Sequence, residues 1–354
     1  MEVYYILTIL IIITSYLLRK DKKKLSYVLF TYLLIVIGLR HQSMGYDLMW
    51  KYSGGYLDWF DTISRADFGD LFMYSLLTSY DIGFVFLNRI IGVISNDRQV
   101  YLFVCALISI LPFAFYTSRE SKSPLLSIAI FIGLPTFLYL YGTLRQSVAT
   151  GVLVLSLPYL EKRDKKFFFF LFLAVLLHAA SIVFVIAYFV YNFHAKTASK
   201  LLSLIILAVV FVLRSILISY ILPYIVVGNY EIDNTSSAMS FIVFTIIYIG
   251  LLVFVYDKSS YQIKGYINLF YISCLCLAFQ DVTPVAARMA SFFMFPLMII
   301  IPDFIYNMRE KRLARLYSLI CVIVFLGYGL FRIDAGGEDF AQSSPYYWFW
   351  EDVQ

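Results

Sequence analysis

The sequence predicts an all-α polytopic membrane protein. Of its 354 residues 61% are hydrophobic and only 14% charged, whereas a soluble globular chain carries roughly 25% charged residues. Mean hydropathy is +0.81. Apolar runs of roughly membrane-spanning length recur along almost the whole chain, and they lack the short alternating pattern of a β-barrel.

Taken in order, the first apolar run covers about 3–18. A basic loop follows it, Arg19-Lys20-Asp21-Lys22-Lys23-Lys24, in place of a small-residue cleavage site, so this run reads as a retained span rather than a signal peptide. A second span covers about 25–39. The segment 40–97 is the longest non-apolar region, with seven Asp, no Glu and four Lys or Arg; it reads as an extracytoplasmic loop. Within it Ile82–Ile94 has the pattern of a short amphipathic helix suited to the membrane interface. Further spans are expected at about 98–116, 124–141, 146–160, 201–222, 239–256, 265–280, 285–306 and 313–331. The tail 332–354, also placed outside, ends in an aromatic cluster, Pro345-Tyr346-Tyr347-Trp348-Phe349-Trp350, suited to the headgroup layer. The whole chain, 1–354, is read as one integral membrane domain.

The run 167–192 is long enough for one span or for two short ones meeting near His178-Ala179-Ala180-Ser181. Charge separates the readings. Loops 19–24, 117–123, 161–166, 193–200, 256–264 and 307–315 hold 19 basic and 6 acidic residues, leaving 9 basic and 17 acidic elsewhere. Cytoplasmic loops are rich in Lys and Arg, and only the broken reading puts all six on one side. It gives about 12 crossings, or 11 if 167–192 is continuous, with both termini outside. The segment 167–177 is short for a bilayer, but broken helices are tolerated where they line a water-filled cavity.

Several function classes are disfavoured. The basic residues sit in short loops and form no folded basic face, which argues against nucleic-acid binding. Cys105, Cys274, Cys276 and Cys321 all lie in apolar runs without the partners of a zinc site. No Gly-rich phosphate loop or nucleotide-sized cytoplasmic domain is present, and no internal repeat marks a transporter.

Against the positive-inside trend, Arg40, Arg145, Arg214 and Arg288 are expected at the outer leaflet, with His178 at the outer break. Charged groups at membrane depth mark functional sites by default. Arginine is always charged and grips phosphate oxygens through a rigid fork, so several arginines facing one outer cavity suit a membrane-embedded diphosphate. Each has a plainer alternative. Arg40 and Arg145 could snorkel, although Gln146, Ser147 and Thr150 give Arg145 a polar face. Arg214 could pair with a carbonyl or carboxylate. Arg288 lies three residues before Ser291. His178 could be hydrogen-bonded glue between helices, and Asp47 an ordinary solvated turn.

These residues resemble the EpsG/Wzy-type polysaccharide polymerase family. Gly38-Leu39-Arg40, Gly45-Tyr46-Asp47 and Tyr52 are similar to its R, G-x-D and Y element after the second span. Leu144-Arg145-Gln146-Ser147-Val148-Ala149 resembles its R-Q-x-x-A helix start. The stretch from Leu173-Ala174 to His178 and Ser181 resembles its L-A-x-x-x-H-x-S element, and Arg288-Met289-Ala290 before Phe292-Phe293 its late arginine element. Order and spacing agree over about 40–300. Asp81 stands where the family more often has Glu, and Ala180 delays the polar residue by one place.

The resemblance implies a GT-C-like, metal-independent glycosyltransferase without a cofactor, in the bacterial cytoplasmic membrane. It would polymerise undecaprenyl-diphosphate-linked repeat units into capsule, exopolysaccharide or O-antigen at the outer face. Donor and acceptor are both lipid-linked glycans, and a flippase and a chain-length regulator are the implied partners. Arg145 and Arg288, assisted by Arg40 and Arg214, would hold the diphosphate. Gln146, Tyr52 and Asp81 would support the site or the sugars. Tyr46, Tyr52, Trp50 and Trp59 could stack on sugar faces or anchor the chain at the outer interface. The base is His178 or Asp47; the sequence slightly favours His178, because an imidazole can be neutral at working pH. The rival readings are a polysaccharide ligase, with similar chemistry, and a flippase or other transporter of lipid-linked glycans.

Overall fold

A computed structural model describes residues 1–49, 54–193, 197–225, 238–283, 285–335 and 342–353. Regular structure among them is helical, apart from an isolated antiparallel bridge between Arg40 and Trp348. In chain order the helices are α1 (Glu2–Leu17), α2 (Lys22–Gly38), α3 (Tyr56–Ile63), α4 (Leu71–Thr78), α5 (Ile82–Ile94), α6 (Arg98–Glu120), α7 (Pro124–Gly133), α8 (Pro135–Gly142) and α9 (Leu144–Val154). They continue with α10 (Lys166–Leu177), α11 (Val185–Val190), α12 (Thr197–Ile225), α13 (Met239–Gly250), α14 (Tyr261–Leu277), α15 (Val285–Met294), α16 (Leu297–Tyr306) and α17 (Lys311–Ala335).

Among the described residues, four helices are long and apolar enough to cross a membrane: Arg98–Glu120, Ala198–Tyr220, Met239–Lys258 and Lys311–Ala335. Two bent pairs raise the number to six. The other expected spans are helical but short: α1, α2, α9, α10 and α14 have 11 to 17 residues. Large apolar side chains stand exposed along these helices, among them Ile6, Ile9 and Ile13 of α1 and Leu319, Ile323 and Phe331 of α17. Such faces suit a lipid environment rather than water.

Proline explains where the expected spans bend. The run 124–141 is two helices meeting at 64°, because Pro135 opens α8 and forces Leu134 into extended backbone. The run 285–306 bends by 42° around Pro296. The run 167–192 is broken as well: α10 stops at Leu177, His178 is extended, and a 3₁₀ turn, Ala179–Phe184, follows before α11.

The chain forms two compact units. The first contains 1–159, 165–182 and 301–354, and the second 160–164 and 183–300. In the first, α2 packs along α6 and α7, α7 along α17, and α9 between α6 and α10. The helix expected at the interface, α5, turns Phe84, Val85 and Ile91 inward against α3, α4, α6 and α10 while Phe86, Ile90 and Ile94 stay exposed. Stacked Phe60 and Tyr101 rings, 4.3 Å apart, fill the core beside it. In the second unit α14 is the hub: Asn268 on it donates to the carbonyls of Val190 and Phe193, and Phe211 of α12 stacks on Phe241 of α13.

Candidate active site

The site in the first unit begins with a backbone contact. Gly45 has φ +125°, and a Cβ placed there would lie 2.1 Å from the Tyr141 carbonyl oxygen. Only glycine allows this approach, and it presses the Gly45-Tyr46-Asp47 turn against Tyr141 and Gly142, just before α9. Arg40 locks the turn. Its Nε donates to the Met44 carbonyl at 3.2 Å, its Nη2 to the Tyr141 carbonyl at 2.9 Å, and its Nη1 to the Ile37 carbonyl. With 0% exposure and every nitrogen on a carbonyl, Arg40 holds the loop in place and presents nothing to a ligand.

Asp81 is the residue on which the site converges. It precedes α5, and its Oδ2 accepts from Arg145 Nη1 at 3.2 Å. Its Oδ1 accepts from the Ala179 backbone N–H at 3.0 Å, and His178 Nδ1 lies 3.6 Å from Oδ2. One carboxylate therefore joins the arginine that heads α9 to the histidine at the break after α10. Taking the Ala179 N–H also stabilises the break, because that donor has left the α10 ladder. Gly83 permits the approach: a Cβ there would meet the Leu176 carbonyl oxygen at 2.7 Å.

Arg145 is held from several sides. Nε donates to the Tyr56 hydroxyl at 3.3 Å, Nη1 also donates to the Ser79 carbonyl at 3.1 Å, and the guanidinium lies 4.6 Å from the Tyr80 ring centroid. Nη2 makes no hydrogen bond to any described residue, and 24% of the side chain is accessible. The result is a fixed, partly open cation, which is what recognition of an anion requires.

The electrostatics are mutually dependent. Burial pushes the Asp81 carboxyl up, but the facing His178, the Ala179 N–H and the Arg145 guanidinium bring it below the ordinary carboxylate value. Burial raises the Tyr80 hydroxyl, with Tyr56, Asp47 and Asp58 adding to the rise and Arg145 opposing it. Asp47 is thus electrostatically within reach of the same cluster. Its carbonyl accepts the Tyr56 N–H at 3.0 Å and so starts α3. Gln146 is buried one residue after Arg145.

Two of the other expected arginines belong to the second unit. Arg214 forms a two-pronged pair with Asp281 in the second unit, Nε to Oδ1 at 2.9 Å and Nη2 to Oδ2 at 2.7 Å, while Nη1 donates to the Phe211 carbonyl. A carboxylate thus already occupies this guanidinium. Arg288, partly exposed on α15, also belongs to the second unit. Trp50 and Tyr52 lie outside the described residues, and Trp59 packs its ring into the Ile63, Leu71 and Val85 cluster. The sequence reading missed Tyr56 and Tyr80 as partners of Arg145. Their signal was the adjacency of Tyr80 to Asp81 and the Gly83 that follows. It also missed the Arg98 pair with Asp58 and Asp61, at 3.3 and 2.6 Å, which ties α6 to α3.

An all-helical membrane fold with one arginine–aspartate–histidine constellation at the ends of its helices defines a multi-pass membrane protein with a polar site. The EpsG family model matches residues 23–346, and the chain belongs to that family, a Wzy-type polymerase family of polysaccharide biosynthesis. No curated protein and no solved structure matches the chain.

Proposed function

We propose that the protein polymerises undecaprenyl-diphosphate-linked oligosaccharide repeat units at the outer face of the cytoplasmic membrane. The convergence of Arg145 and His178 on Asp81 carries this reading. Family membership supplies the reaction type, and the constellation supplies groups suited to it.

In the proposed step a hydroxyl oxygen of the acceptor glycan bonds to the anomeric carbon of the donor. The bond from that carbon to the diphosphate oxygen breaks, and its electron pair leaves with the diphosphate. Negative charge therefore grows on the leaving group, where a pre-placed cation lowers the barrier. Arg145 fills this role: Tyr56, Ser79 and Asp81 fix its Nε and Nη1, which leaves the Nη2 donors for the anion. The hydroxyl proton goes to His178. With Nδ1 turned towards Asp81, Nε2 is the nitrogen that takes it. Asp47, on the turn clamped against Gly142, is the other candidate base. Arg40 and Asp81 are positioning residues. No metal or cofactor takes part in this scheme.

The proposed orientation rests on charge. In the first unit Lys22, Lys122 and Lys311 gather at one end of α2, α7 and α17, whereas Arg145 and Asp81 follow the far ends of α2 and the α7–α8 pair. Helix α6 alone spans roughly 34 Å at 1.5 Å per residue. Basic ends face the cytoplasm, which turns the Arg145 site outward. On this reading the shorter helices cross too, for about 12 crossings.

The test is genetic and biochemical together. His178→Ala cells are expected to accumulate single repeat units on the lipid carrier at normal protein levels. Long polymer remaining on the carrier would indicate a ligase instead, and unchanged polymer would refute the role of His178.

A further inference from the structure

Sequence and structure agree on a second concentration of charge, at the opposite end of the first unit from Arg145. A pocket of about 610 Å³ is lined there by Lys22, Lys122, Lys311 and Arg315, with the hydroxyl-bearing Ser123 and Ser318 among them. Three ammonium groups surround one aromatic ring: Nζ of Lys22, Lys311 and Lys122 lies 4.9, 5.7 and 6.0 Å from the Tyr306 centroid. Like charges drawn to one ring repel each other, and an anion between them relieves that repulsion.

The backbone adds to the same field. Lys22 is the first residue of α2, Lys311 the first of α17, and Ser123 directly precedes Pro124 of α7. Three helix N-termini, each with partial positive charge, therefore meet at one pocket, and the Lys24 N–H of α2 and the Arg312 N–H of α17 are already taken by the Asp21 and Glu310 carboxylates. The nearby carboxylates do not line the pocket. Asp303 accepts from Asn307 and acts electrostatically on Lys122, leaving the other three cations uncompensated by it. The floor is apolar, formed by Leu126 and Ile305.

We infer that this pocket binds a phosphate group, and that the combination of cations, hydroxyls and apolar floor selects a phosphate ester carrying hydrocarbon, as in an anionic phospholipid. Basic pockets between membrane helices bind such headgroups. The inference is independent of the polymerase reading, because the pocket and the Arg145 site lie at opposite ends of the same helices.

The test uses the full-length protein purified in a neutral detergent, with native mass spectrometry to count bound lipid and thermal shift to follow inorganic phosphate. The probes are phosphatidylglycerol, phosphatidylcholine and inorganic phosphate. Each cation near an anionic surface is worth roughly fivefold in binding, so K122Q/K311Q/R315Q is expected to weaken phosphatidylglycerol binding by roughly a hundredfold. K20Q/K23Q, in the same basic stretch as Lys22 but outside the pocket, is expected to bind as wild type does. Phosphatidylglycerol retention that falls in the triple variant identifies a lipid headgroup. A phosphate-induced shift lost in the triple variant, without lipid selectivity, identifies a free phosphate. Equal retention of both lipids together with no variant-sensitive phosphate shift overturns the inference. R315Q alone, a milder change, repeats the comparison if the triple variant is poorly folded.

Discussion

Replacing Asp81 by Asn keeps the shape of the side chain and removes its charge. The Ala179 N–H keeps an acceptor at Oδ1, but Arg145 Nη1 at 3.2 Å and His178 Nδ1 at 3.6 Å no longer face a carboxylate. A hydrogen bond to a charged partner contributes roughly 1.5–3 kcal/mol. Here 24% of the Arg145 side chain and 18% of Asp81 remain exposed, so screening reduces this to about 1–2 kcal/mol. At about 1.4 kcal/mol per factor of ten, polymerisation should slow roughly 5- to 30-fold. The assay is the rate at which purified protein extends a lipid-linked repeat unit, normalised to folded protein. Asp81→Glu retains the charge and should recover most of the rate. Wild-type kinetics from Asp81→Asn would refute the idea that this carboxylate holds the site together. The pH dependence has a definite sign. Because the folded Asp81 carboxyl is held below its ordinary value, its contribution is complete above about pH 4 and is lost only as pH falls through the lower folded value. An acid limb between pH 5 and 7 that persists in Asp81→Asn therefore belongs to another group.

Other substitutions separate site from scaffold. Gly83→Ala places a methyl 2.7 Å from the Leu176 carbonyl oxygen; backbone must move, at about 1–3 kcal/mol, so both thermal stability and activity should fall. Gly69→Ala, with nothing within 4 Å, should do neither. Arg40→Lys loses the three-carbonyl lock and should reduce the amount of folded protein, whereas Arg145→Lys should fold normally and extend chains poorly. If Arg40 instead met substrate, the two variants would behave alike. For Arg214 and Asp281, whose side chains are 25% and 18% exposed, either single neutralisation should destabilise the protein more than the double one. Additive losses would show that the pair is not coupled.

Arg145 and His178 were legible in the sequence because a cation and an imidazole are costly in apolar runs. Their union through Asp81 was not, since it depends on α5 and α10 touching at Gly83 and Leu176, nearly a hundred residues apart. The sequence puts Arg145 and Arg288 first with Arg40 and Arg214 assisting, and an arginine at the end of an apolar run looks the same whether it meets phosphate or carbonyls. Arg40 proves to be a buried lock and Arg214 half of an ion pair. The break at His178 could be read from the charge of the flanking loops. The bend at Pro135 was written in the sequence too, yet the apolar composition of 124–141 masks it when hydropathy alone defines a span. Helix length was least legible, because hydropathy records apolar surface without showing where a neighbouring side chain or a proline ends a helix.

The most direct measurement of the central proposal is reconstitution. Purified protein, a chelator and an undecaprenyl-diphosphate-linked repeat unit are incubated without nucleotide, and the products are resolved by size. The wild type should yield a ladder of regularly spaced products, and Arg145→Ala should leave single units. A ladder of equal length and rate from Arg145→Ala, or none from well-folded wild type, would contradict an Arg145-assisted glycosyl transfer.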